Sequence, residues 1–211
     1  MEVVGELVDF GGDYLDDYSD SEDSGEDSEL DKEIERDDDD SSLDNTKVNL
    51  DITAMIAYIS ALTNGENSFE FSDKTCSQQA ELERKNPVKP FLENIFKDKE
   101  LICCASAMRD FQTITNIVGG PGERERAGEL IKRVTVVPDS DSPRIHGLEV
   151  SGKIKDRSRC IFGTGDSMKI VTVTANTGFV RAALDQGVTL AVVTHPYRPL
   201  AEDKEILAEK E

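Results

Sequence analysis

From Val48 onwards, short continuous apolar runs alternate with stretches whose apolar residues recur every three or four positions. VNLDIT (48–53), ELICCAS, VTVVP (134–138), VTVTAN and VTLAVVTH predict five strands. Most read as continuous apolar runs rather than alternating ones, as strands covered on both faces do. Helical spacing predicts a helix over AMIAYISAL, capped by Thr53 or Asp51 and closed at Asn64-Gly65. PFLENIFK follows with Pro90 in its first turn, then AMRDFQTITNIV with Met108, Phe111, Ile114 and Val118 on one face. Helical periodicity returns from Glu123 to Arg133, in a helix that Asp166 opens after GTG, and in FVRAALDQG, which ends at Gly187. Glu66 to Asn86 reads as a surface loop or a weak helix. The order predicts an α/β fold in three layers with a mainly parallel sheet.

Charge divides the chain. Of a formal net charge of -20, residues 1–50 hold 20 acids against three bases. Such a segment buries too little apolar surface to offset its ordering entropy. The expected organisation is a disordered acidic tail over 1–45, a domain over 46–205 and a frayed terminus over 206–211. No run approaches the roughly 20 apolar residues of a membrane span. Glu2 and Glu6 replace the basic start of a secretory or mitochondrial signal. Cys76, Cys103, Cys104 and Cys160 form no CxxC pair, so buried free thiols and a cytoplasmic or nuclear home are expected. Gly119-Gly120-Pro121-Gly122 has no Gly-Lys-Ser/Thr after it, and GTGD is no GxGxxG, so nucleotide binding is rejected.

Four residues fall where strands end or helices start: Asp51, Asp110, Asp166 and Asn176. Parallel α/β sheets place ligands at such ends. Three carboxylates and an amide meeting there would suit Mg²⁺ or Mn²⁺, with Asp51, Asp110 and Asp166 as ligands. Each also has an ordinary role. Asp51 can cap a helix, Asp110 can sit on a solvated face, Asp166 can complement a helix dipole and Asn176 can shape a turn. Glu123 and Glu125 read as surface ion-pairing acids, and His146 and His195 as surface residues, with His195-Pro196-Tyr197-Arg198 a weak ligand signal. Lys153, Lys155, Arg157 and Arg159 form a basic cluster that could follow a nucleic-acid backbone.

Asp51 in the first strand, Asp110, Asp166 and the VTANTGF segment together resemble a PIN-like domain. More closely, NLDITAMIAYISALTNG, GGPGERERA and FGTGDSMKIVTVTANTGFVRAA resemble the eukaryotic domain-of-unknown-function 1308 family, whose C-terminal region is PIN-like; the resemblance covers about residues 46–205. PIN domains are typically Mg²⁺- or Mn²⁺-dependent ribonucleases. The resemblance implies Asp51 and Asp166 as metal ligands, Asp110 in the place of a glutamate, and the neutral Asn176 where an acid is common. It leaves two readings, a metal-dependent ribonuclease acting on RNA or a non-catalytic protein- or RNA-interaction module. The tail adds a possible surface for protein partners, and its Ser19, Ser24 and Ser28 each precede an acid by three positions, as acidophilic kinases favour.

Overall fold

The computed structural model describes residues 43–65 and 74–205. The expected tail over 1–45 (apart from its last three residues) and the frayed terminus over 206–211 lie outside the described residues. Five parallel strands are ordered β3-β2-β1-β4-β5: β1 (Lys47–Leu50), β2 (Glu100–Cys104), β3 (Val134–Val137), β4 (Val171–Thr174) and β5 (Val192–Thr194). Register is fixed in the centre by Val48, which lies opposite Leu101 on one side and Val171 on the other. Val48, Leu50, Leu101, Ile102 and Val173 are buried, as runs apolar on both faces require.

The first crossover holds α1 (Ile52–Ile59), α2 (Ala61–Asn64), α3 (Lys74–Lys85) and α4 (Val88–Phe96). The second holds α5 (Ala105–Val118) and α6 (Pro121–Arg133). Right-handed crossovers that step from β1 to β2 to β3 place these helices on one face. The chain then passes back across the sheet through α7 (Pro143–His146) and α8 (Asp156–Ser167) to β4, and through α9 (Thr177–Asp185) to β5. The same rule puts α8 and α9 on the other face, which makes three layers. A short α10 (Glu202–Glu205) ends the described chain.

Each face has its own core. Ile145, Leu148, Ile154, Phe162, Phe179 and Ala183 form one cluster, with the Phe162 and Phe179 rings stacked at 4.3 Å. Across the sheet, Leu62, Cys76, Ala80 and Ala201 gather beneath α3. The segment expected to be a surface loop or weak helix therefore holds a regular twelve-residue helix from Lys74, anchored by buried Cys76 and Ala80. The expected first strand stops at Leu50 because Asp51 caps α1.

Candidate functional site

In this strand order, β1 and β4 are neighbours whose chains leave toward opposite faces. That is the switch point at which parallel α/β sheets bind ligands, beyond the strands' carboxyl ends. Asp51 stands there, directly after β1, and is only 2 % exposed. One carboxylate oxygen accepts from the Ile52 amide at 2.7 Å. The other accepts from the Thr53 hydroxyl and, across from β4, the Thr174 hydroxyl, both at 2.6 Å. Burial pushes the Asp51 carboxyl above the ordinary carboxylate range, against the pull of these three donors and of Arg157.

Arg157, in the first turn of α8, reaches the same place. Its guanidinium pairs with Asp110 of α5 at 3.7 Å. Burial raises the Asp110 carboxyl while Arg157 opposes the rise. Asn176 caps α9, accepting from the Phe179 amide at 3.0 Å, and its Nδ2 points to Ser158 Oγ of α8 at 3.4 Å. Asp51, Asp110 and Asn176 thus all stand at the carboxyl ends of the strands, where helices from both faces meet.

Asp166 does not join them. It lies in the last turn of α8, not the first. The GTG before it is helix interior: Gly163, Thr164 and Gly165 are buried, and Gly165 sits where a Cβ would run into Thr172 and Asn49. Gly165 permits close packing on β1 and β4, and Gly163 on the backbone of Ser140 and Ser142, rather than a turn. The ten helical steps from Asp156 to Asp166 carry the chain about 15 Å along the helix axis. Asp166 is held there by Arg144 and Ser142. Its burial raises the carboxyl's affinity for a proton, but those two partners outweigh burial and leave it below the usual range. The acid that does open α8 is Asp156, 89 % exposed and bonded to Arg159 at 3.1 Å. Helical spacing of buried Ser158, Ile161, Phe162 and Gly165 is the signal that identifies this helix start.

A family model described as "Protein of unknown function (DUF1308)" matches residues 48–209. The chain belongs to this family. No solved structure matches it. In this DUF1308 domain, the arrangement does not fit a Mg²⁺- or Mn²⁺-type ion, which requires several converging free oxygens. Both Asp51 oxygens are committed to internal donors, Asp110 faces a guanidinium, and Asp166 lies at the other end of its helix.

Other residues of the DUF1308 domain also depart from expectation. Glu123 is fully buried rather than a surface acid, and its carboxylate accepts from the backbone amides of Ala61, Ala201 and Gly120. His195 is 4 % exposed because the chain after β5 turns inward, whereas His146 is exposed as expected. Burial lowers the His195 pKa to about 4. Arg198 bonds buried Glu83 at 2.7 Å, so the segment His195 to Arg198 is a structural anchor. Beside the Asp51 cluster, Asp139, just past β3, accepts from the Ser106 amide at 2.8 Å and from its hydroxyl. Burial would raise the Asp139 carboxyl, but these two bonds hold it below the ordinary range.

Proposed function

We propose that this is a PIN-like module that binds RNA through its strand-end face without cutting it. The observation that carries this reading is Arg157. Its guanidinium neutralises Asp110 and acts on Asp51, the position at which a hydrolytic site would gather a divalent cation. Lys153 and Lys155 lead directly into α8 and are exposed beside this mouth, with Lys153 packed along Gly178 at the start of α9. A cationic rim around a neutralised acidic centre attracts a phosphate backbone. Asn176 of the VTANTGF segment stands next to it, half-buried, and is a neutral group that can bond a phosphate or a ribose hydroxyl.

Fluorescence anisotropy of a labelled single-stranded RNA with the full chain tests the reading. The double variant Lys153→Ala/Lys155→Ala weakens binding and reduces the slope of log K against log salt by about 1.4, the value for two phosphate contacts on a single strand. An unchanged slope overturns the proposed surface. Mn²⁺-dependent cleavage of the same RNA that disappears in Asp51→Asn overturns the non-catalytic reading in favour of a nuclease.

A further inference from the structure

Three side chains far apart in sequence meet beside the mouth: Cys104 at the end of β2, Asp139 just past β3, and Cys160 in the second turn of α8. Their ligating atoms all lie within 4.8 Å of one another. None of the chain's cysteines is in a disulfide. We propose that Cys104, Cys160 and Asp139 form a binding site for a thiophilic divalent cation of the Zn²⁺ class.

The donor set selects the ion. Two thiolates and one carboxylate suit Zn²⁺, whereas Mg²⁺ and Ca²⁺ take oxygen ligands almost alone. With Zn–S bonds of about 2.3 Å, two sulfurs on a tetrahedron stand about 3.8 Å apart. The observed spacing needs closure of no more than about an ångström to reach that edge. The backbone fixes two of the donors, since Cys104 is the residue that caps α5 and Cys160 is held in a continuous helix.

The surroundings are those of a supported ligand. Asp139 accepts from the Ser106 amide and hydroxyl, and Ser106 Oγ accepts in turn from Arg109 at 3.1 Å. A carboxylate has about four acceptor positions, so two remain for a cation. Such outer hydrogen bonds orient ligating carboxylates in known sites. Asp139 is exposed, Cys160 half-buried and Cys104 buried, so an ion can approach from solvent and its fourth position faces water. Sequence spacing hides the site, because the ligands are 35 and 21 positions apart in the chain. The proposal stands apart from RNA binding, which uses neither cysteine.

The test uses the full chain, reduced and freed of metal by a chelator, then titrated with Zn²⁺ against a chromophoric competitor and separately with Co²⁺. One Zn²⁺ per chain is expected, with a near-ultraviolet thiolate-to-Co²⁺ charge-transfer band. Cys160→Ser removes the band and the stoichiometric binding. Ser106→Ala keeps the ligands and weakens binding by about 10- to 100-fold. Absence of Zn²⁺ binding by the reduced parent overturns the site. Co²⁺ uptake without the thiolate band, as carboxylates alone would give, also overturns it, as does a band that survives in Cys160→Ser.

Discussion

Glu123 holds three separate parts of the chain at one carboxylate. Oε1 accepts from the Ala61 amide at 2.8 Å and the Ala201 amide at 2.9 Å, and Oε2 from the Gly120 amide at 3.1 Å. These amides belong to the start of α2, the segment before α10 and the start of α6. Glu123→Ala leaves all three donors buried without this acceptor. A hydrogen bond to a charged group contributes about 1.5–3 kcal/mol. Three would sum to roughly 4–9 kcal/mol, from which the recovered cost of burying the carboxylate, several kcal/mol, must be subtracted. The expected net loss is about 3–5 kcal/mol, a large share of the 5–15 kcal/mol that typically holds a domain together. Glu123→Gln keeps an oxygen for Ala61 and Ala201 and turns an amide N–H₂ toward Gly120. One bond becomes a donor facing a donor, which costs about 1–2 kcal/mol. Urea unfolding followed by circular dichroism reads the order directly. The parent is the most stable, the glutamine variant intermediate and the alanine variant the least, with falling midpoints and a constant m value. An alanine variant within 1 kcal/mol of the parent would refute the reasoning, since the three amides would then have found other acceptors at little cost.

Two further outcomes follow from named positions. His195 is neutral when buried, with its pKa lowered to about 4 from 6.5. Between those values the unfolded chain binds the extra proton, so stability falls as pH drops through this window, by about 3 kcal/mol in all. His195→Gln removes that component, and urea midpoints at pH 7.5 and 4.5 should differ less for the variant than for the parent. Gly165→Ala drives a methyl into Thr172 and Asn49 and should cost about 1–3 kcal/mol by overpacking. Gly128→Ala, in the middle of α6 with open space around it, should instead gain about 0.5–1 kcal/mol; thermal melts of the two variants should move in opposite directions.

The layered fold was legible because its signals are local. A run such as LICC is apolar on both faces, and only a sheet covered on two sides accommodates it. Asp51 was legible only as a choice between a strand residue and a helix cap, and the structure ends β1 at Leu50 and makes Asp51 the cap of α1. Asp166 was misplaced because a glycine between polar residues reads as a turn, yet Gly165 is small to fit under Thr172 and Asn49, a demand set by β1 and β4 far away in sequence. Glu123 and His195 were read as surface groups because the contacts that bury them come from far along the chain, Glu123 accepting from the distant Ala61 and Ala201 amides as well as from Gly120 of its own helix start.

The same contrast explains the strand-end face. Each strand's carboxyl end is positioned by local pattern, but what stands between the ends is decided by the return crossover through α8, which delivers Arg157 and Cys160 on successive turns of one helix. Arg157 meets Asp51, just past β1, and Asp110 of α5, and Cys160 meets Cys104 at the end of β2 and Asp139 just past β3. A single helix therefore sets the chemistry of both neighbourhoods, supplying a cation to the oxygen-rich one and a thiol to the sulfur-bearing one. Acids at strand ends alone do not make a hard-metal site when the helix across from them brings its own positive charge.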